Sequence, residues 1–436
     1  MLKKNITAMK ILSFTCLLGL IIGLLGCGNN KSTTNDNDQC SHVEKVADTC
    51  RFIRGKLFRG YNHSSVPLRD FLCCADQVTH LYLDADSLST KDLEYLKRFK
   101  NIRSIHLNNF ENVPEKIATF DKLEKISIIS EKQNVTVIPR SFSRLKGIKT
   151  LYLNTSVFPK GLENLPKVDK VNITFISVKD VQNYFPPSVS LPQVKSLEID
   201  NAQTIPKNIH IFSKLKSLKL LPHPSKAQKF IMPSYIDQMD QLEELQIGAT
   251  YNSEGYWIID SLPANIGNMK SLRNLSFEYC RFISLQLAKL QNLTHLKIST
   301  LKNYSPQNLA AILEKLQNLR VLNLSIHKIP KKSQLRAVFK YLNKLDSLSL
   351  TSKDIPAEVF EVKNLKYLSI NNIKSDQDIF SLIKDYSSLE TLIIYKNQAK
   401  GISDNIRFLK ELKVLEVSSG NLKDISPQIG ALTKLT

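Results

Sequence analysis

Large apolar side chains in residues 261–280, SLPANIGNMKSLRNLSFEYC, fall at Leu262, Ile266, Met269, Leu272, Leu275 and Phe277, with mostly polar residues between them. The steps are four, three, three, three and two. Spacing of three and four marks one face of a helix or a tight helical turn, and a step of two marks a strand. The stretch therefore predicts a near-helical segment that ends in a short strand. The same ending, apolar-x-x-apolar-x-apolar, begins at Val78, Ile102, Leu123, Ile148, Val168, Val194, Leu215, Leu242, Leu272, Leu293, Leu319, Leu345, Leu365, Leu389 and Leu412, and a sixteenth begins at Leu435. From 78 to 435 the chain covers 357 residues in 15 intervals, a mean of 23.8. A fixed period in this range predicts a repeat architecture with one coil per unit. Each coil is apolar along one edge and becomes stable only when its neighbours cover that edge.

Three of the longer units predict true helices. Ser305 and Pro306 read as an N-cap and first helical residue ahead of Leu309, Ile312, Leu313 and Leu316. Leu335, Val338, Phe339 and Leu342 show the same spacing, as do Ile379, Leu382, Ile383 and Tyr386. The proline-containing units are mostly shorter, which predicts tighter outer turns.

From residue 78 onward the chain resembles the leucine-rich repeat family. LRNLSF at 272, LTHLKI at 293, LRVLNL at 319, LKYLSI at 365 and LKVLEV at 412 carry the match. IPKNIHIFSKL from Ile205, LPANIGNMKSL from Leu262 and IPAEVFEVKNL from Ile355 resemble the bacterial surface type. The resemblance implies an α/β solenoid, or horseshoe, with a concave parallel β-sheet and a mixed helical and extended convex side. The family places Asn at the ninth position of the unit. Here that position holds Asp86, Phe110, Glu131, Ser156, Ile176 and Ala202, with Cys280 and Asn397 the only typical occupants. Irregular coils are expected as a result.

The first 40 residues pose a separate problem. A basic start, MLKKNITAMK, precedes the apolar run ILSFTCLLGLIIGLLG, the pattern of a secretory signal. The run ends in Leu24-Leu25-Gly26-Cys27, which resembles the lipobox of bacterial lipoproteins. That resemblance implies cleavage before Cys27 and its acylation; an uncleaved membrane anchor and an ordinary cleaved signal remain open. Gly28, where the family often uses Asp for inner-membrane retention, favours the outer membrane or cell surface. The polar stretch after Cys27 could not form a core and reads as a tether, spanning roughly 20 Å. The expected organisation is a signal over 1–26, a tether over 27–39, a cysteine-containing cap over 40–77 and repeats over 78–436.

Cys40, Cys50, Cys73 and Cys74 bracket the region where a solenoid needs a cap. Adjacent Cα atoms lie about 3.8 Å apart, too close for an ordinary disulfide, so Cys40 and Cys50 would each pair with one of Cys73 and Cys74. Buried free thiols and a metal site are the alternatives, although the spacing lacks the C-x-x-C of zinc sites. Cys280 reads as a small buried apolar residue.

The net charge is +20, or about +17 once Lys3, Lys4 and Lys10 leave with the signal. In each unit, positions three, five and seven should face the concave side. Those 45 positions hold Lys125, Lys170, Lys219 and Lys297 against Asp84, Glu198, Asp200, Glu244, Glu278 and Glu416, a balance of −2. The positive excess must lie on the edges, convex side and cap, which speaks against a nucleic-acid groove. Ser, Thr, Asn and Tyr prevail instead and suit a protein or glycan partner.

His80, Tyr82, Asp84, His106 and Asn108 fall on the first two strands, with Tyr152 two strands on; Tyr367, Asn371, Asn372 and Tyr395 fall near the other end. Ordinary solvent-facing strand residues would also account for both groups. An insertion, GATYNSEGYWIID, brings Tyr251, Tyr256 and Trp257, which either anchor a partner or fold back onto the solenoid. No P-loop, G-x-S-x-G, H-E-x-x-H or dinucleotide fingerprint is present, so no enzyme, cofactor or metal is expected. The sequence stops as its sixteenth strand begins, which reads as a fragment or as an edge open to end-to-end self-association. Taken together, the expectation is a non-catalytic, lipid-anchored envelope protein that binds through its concave face and inserted loop. The alternatives are an adhesive or structural envelope protein held by its basic surface, and part of a larger protein whose catalytic domain follows.

Overall fold

The structure, a computed structural model, describes residues 68–436 apart from 87, 131–134, 176–180, 203, 223–229, 249–258, 279, 302–303, 327–337, 354, 356, 372–377, 398–400 and 420–421. Strands β1 (His80–Asp84), β2 (Ser104–Asn108), β3 (Lys125–Ser130), β4 (Thr150–Thr155), β5 (Lys170–Thr174), β6 (Ser196–Asp200), β7 (Ser217–Leu221) and β8 (Glu244–Ile247) form the first part of the main sheet. After β9 (Ile259–Ser261) the sheet continues with β10 (Asn274–Glu278); after β11 (Cys280–Phe282) it continues with β12 (His295–Leu301), β13 (Val321–Ile326), β14 (Ser347–Thr351), β15 (Tyr367–Asn371) and β16 (Thr391–Asn397). Then come β17 (Gly401–Ile402), β18 (Val414–Ser419) and β19 (Asp424–Ile425). Fifteen of these strands make one parallel sheet in chain order, while β9 pairs with β11 and β17 with β19 in two small ladders on the opposite side.

The period-two ending of each unit sets this sheet. Positions four and six point inward: Leu81 and Leu83, Leu275 and Phe277, Leu348 and Leu350 are all buried. Every unit aligns with the next without a slip over these positions, for example Leu275 with Leu245 on one side and Leu296 on the other. A one-residue slip would turn the apolar pair to solvent, so burial fixes the register. Backbone bonds extend the ladder below the strands. At position two, Arg103 N–H donates to Thr79 O at 2.7 Å and Glu124 N–H to Arg103 O at 2.8 Å, a pattern that continues to Lys413 N–H and Glu390 O at 2.8 Å.

Short 3₁₀ turns make most of the return path. Pro114, Pro139, Pro233 and Pro263 each stand at the N-cap of one, as the tight proline-containing units predict. The helix expected after Ser305 is α2 (Pro306–Lys315): the Ser305 hydroxyl accepts from Asn308 N–H, and Leu309, Ile312 and Leu313 are buried with Leu316. An earlier helix, α1 (Thr90–Tyr95), has a full capping box between Ser89 and Asp92. One expectation changes. The pattern from Ile379 yields a single turn, α3 (Ile379–Leu382), in which Phe380 is buried and Leu382 only partly so. The chain leaves helical geometry after Leu382, and Tyr386 is nonetheless buried, its hydroxyl donating to Phe360 O at 3.1 Å. Leu335 lies outside the described residues, and Val338, Phe339 and Leu342 are buried around a short 3₁₀ turn over Phe339–Tyr341.

At the ninth position Phe110 and Ala202 are buried, so apolar packing replaces an Asn tie in those units. A 3₁₀ helix over Leu68–Gln77 covers the β1 end with Leu68 and Ala75. It carries the backbones of Cys73 and Cys74. Residues 1–67 lie outside the described residues, and with them the expected signal, Cys27, the tether, Cys40, Cys50 and the cap pairing.

One outer turn depends on glycine. Gly161 has φ of 80°, and a Cβ there would sit 2.3 Å from Ile138 O. Gly161→Ala is expected to destabilise by more than the ~1–2 kcal/mol of left-handed backbone alone, since the neighbouring coil must also shift. Asn tolerates that φ but carries the same Cβ, so Gly161→Asn should fail to rescue. Urea melts of the two variants check this; a near-neutral Asn variant would count against the close approach.

Candidate binding face

Because positions three, five and seven face away from the core, the register draws them into three lanes across the sheet. The middle lane runs Tyr82, His106, Ser127, Tyr152, Asn172, Glu198 and Lys219, each opposite the next. It continues through Gln246, Ser276, Lys297, Asn323, Ser349, Ser369, Ile393 and Glu416.

The expected N-terminal group comes together. Tyr82 pairs in register with His106, and Asp84 with Asn108, whose Nδ2 donates to Asp84 Oδ2 at 2.8 Å. His80 stands on the neighbouring lane, its Nδ1 2.9 Å from Thr79 Oγ1. Tyr82 and Tyr152 are 40% and 38% exposed, so both rings project from the sheet. At the other end Asn371 lies in register with Tyr395, which is 39% exposed and whose hydroxyl donates to Glu416. That bond, more than burial, holds the Tyr395 hydroxyl above its ordinary pKa. Tyr367 stands on the outer lane beside them, opposite Thr391. Asn372, Tyr251, Tyr256 and Trp257 lie outside the described residues.

The middle of the face is tied up by its own charges. Glu198 lies 3.1 Å from Lys219 and 4.0 Å from Lys170, Glu278 is 2.6 Å from Lys297, and Ser217 Oγ donates to Glu244 at 2.8 Å. Three of the four lysines expected on this face therefore meet a carboxylate. A second charged row, missed by the count of concave positions, lines the edge at position two: Arg103 with Glu124 at 2.7 Å, Lys216 with Glu243 at 2.8 Å, Arg320 with Asp346 at 3.1 Å and Lys413 with Glu390 at 2.7 Å. These pairs are exposed and add little stability each. Their consequence is that this edge, too, is largely self-neutralised.

Burial lowers the His106 pKa, with His80 adding repulsion, and burial followed by Lys125 lowers that of His80. Between the folded value and an unfolded value near 6.5 the unfolded chain binds more protons, so stability should fall as pH drops below about 6.5. Melts at about pH 7.5 and about pH 5.5 should differ less in a His80→Asn, His106→Asn double variant than in the wild type. An equal pH response in both proteins would mean that other groups carry it.

Among the described residues no group of three His, Cys, Asp or Glu side chains could hold a metal ion. The void between Leu151, Phe158, Leu165 and Phe212 is ≈ 10 Å³ and apolar, too small for a ligand. What the face offers is a broad, open, mostly uncharged surface with tyrosines at both ends.

No protein-family model and no curated protein matches the sequence. Solved structures do. A leucine-rich repeat protein of Leptospira interrogans matches at a TM-score of 0.53 and 20% identity, over 86% of this chain and 93% of its own. TLR13, solved in complex with ssRNA13, matches at a TM-score of 0.50 and 14% identity, over 82% of this chain and 56% of that one. An internalin of Listeria monocytogenes covers 89% of this chain and 94% of its own at 18% identity and a TM-score of 0.40. Fifteen parallel strands in chain order, one per repeat, and the likeness to the first two structures make this chain a leucine-rich repeat solenoid.

Proposed function

We propose that the protein is a non-catalytic recognition protein, tethered to the bacterial envelope through Cys27, that holds a protein or glycan partner on its concave face. One observation carries this reading: the exposed side of the fifteen-stranded sheet is one continuous register in which hydroxyl, amide and tyrosine side chains prevail on both sides of a self-paired charged middle. Such side chains adapt their hydrogen bonding, and rigid aromatic rings supply contact area at low entropic cost. Nucleic acid is disfavoured. Its phosphates need uncommitted cations, and here Lys170, Lys219 and Lys297 lie beside carboxylates. The inserted segment with Tyr251, Tyr256 and Trp257 is proposed to add further contacts to that partner.

A second reading rests on the outer side of the third and fourth units, where Arg140, Arg144, Lys146, Lys160 and Lys167 are all exposed. Attachment there to anionic envelope polymers would make the protein adhesive or structural. Ionic strength separates the two, because exposed charge attraction is screened at moderate salt. The experiment is a cell-envelope binding assay with the full chain, comparing wild type with Tyr82→Ala, Tyr152→Ala, Tyr395→Ala at low and moderate salt. Concave recognition predicts binding that survives salt and drops at least tenfold in the triple variant. Unchanged binding by the variant, with collapse in salt, would favour the basic surface. The anchor has its own test: Cys27→Ser should move the protein from the membrane fraction to the soluble exported fraction.

A further inference from the structure

Resting on the concave-face reading, we infer that the ligand is an extended, uncharged glycan chain laid across the strands. Charge argues first. The lysines of the middle lane and their neighbours are spent on Glu198 and Glu278, so an acidic polymer would have to displace carboxylates already in place. A neutral chain displaces none.

Spacing argues second. Parallel strands lie about 4.8 Å apart, so the middle lane presents one side chain at that interval, polar or tyrosine at every strand but that of Ile393. One sugar residue of an extended hexose polymer advances its chain by nearly the same distance. An extended peptide puts side chains on one face only every ~6.7 Å, out of step with the lane. Tyr82 and Tyr152, three strands apart, would then meet sugar rings about 14 Å from each other, again a whole number of units.

Chemistry argues third. An exposed tyrosine ring offers an apolar face to the C–H side of a sugar and a hydroxyl at its tip. Between the tyrosine ends stand Gln246, Ser276, Asn323 and Ser349, short groups suited to sugar hydroxyls. Asn172 Oδ1, Ser276 Oγ and Asn371 Oδ1, all on concave positions, are buried beneath that surface without a hydrogen-bond partner. Tyr367 and Tyr395 would hold the far end.

The test is a printed array of neutral and acidic glycans probed with the full chain, followed by titration with graded lengths of whichever neutral oligosaccharide binds. The expected result is binding to a neutral linear glycan that tightens with length, resists moderate salt and weakens at least tenfold in Tyr82→Ala, Tyr152→Ala. The Tyr82→Phe, Tyr152→Phe variant keeps both rings and should bind within about threefold of wild type, and a urea melt of the alanine variant that matches wild type excludes misfolding as the cause. Binding to acidic glycans alone, or to no glycan, overturns the inference. If glycans fail while envelope binding still depends on the concave tyrosines, the concave-face reading stands and a protein partner takes the glycan's place. If neither depends on them, both fall.

Discussion

Phe185→Ala should lower stability by about 3–5 kcal/mol, the range for removing a buried aromatic ring. Phe185 is fully buried between coils. Its ring meets Phe212 edge-on at 5.2 Å and Phe158 at 5.6 Å, and Phe158 in turn meets Tyr184 at 5.4 Å. Tyr184 closes the group against Phe175 at 4.9 Å and shares a 2.7 Å hydrogen bond with Thr155 Oγ1. Edge-to-face pairs add about 0.5–1.5 kcal/mol beyond area alone. Truncation would lose two such pairs and leave a cavity beside the small void already bounded by Phe158 and Phe212. Relaxation cannot fill it easily, because the rings come from successive coils held in register by the sheet. Urea unfolding measures the loss, and hydrogen exchange should show it concentrated in β4 to β7, since solenoid stability is nearest-neighbour. A cost below about 1 kcal/mol would show that the rings do not bear on one another as described.

The sheet was legible in the sequence for a simple reason. One residue type at two positions per unit, such as Leu275 and Phe277, decides both strand and register, and nothing else in the unit competes for that edge. The aromatic group was not legible. Tyr184 and Phe185 follow a turn with no helical or strand period, and only the stacking of coils brings them to Phe158 and Phe212. The charged middle of the concave face fell between these cases. The balance of lysines and acidic residues on these positions is readable from the sequence, but their pairing depends on register and reach. Glu198 and Lys219 share a lane on adjacent strands and are readable as a pair once register is assumed. Lys297 and Glu278 sit on a diagonal, which requires knowing how far each side chain reaches. Helix α3 shows the opposite failure: a four-member helical pattern is present, yet only one turn is helical while Ile383 and Tyr386 are buried beyond it. The capping box of α1 was written plainly as Ser89-Thr90-Lys91-Asp92, but no long apolar period followed to draw attention to it.

Leu275→Ala and Ser276→Ala should part company although the two residues are neighbours in β10. Leu275 is 1% exposed and lies in register between Leu245 and Leu296, so its removal opens a cavity spanning three coils. A loss of about 2–5 kcal/mol is expected. Ser276 points to the opposite side, and its hydroxyl makes no hydrogen bond within the protein. Replacing it leaves no partner stranded, so the change should stay within about 0.5 kcal/mol and could stabilise slightly by removing an unsatisfied group. Both are read from urea melts of the full chain, with fluorescence and circular dichroism followed together because a long solenoid need not unfold in one step. The comparison isolates the alternation of the strand from anything peculiar to the region. Equal losses would mean that β10 does not present alternate residues to core and ligand face, and the lanes on which the binding proposals stand would have to be redrawn.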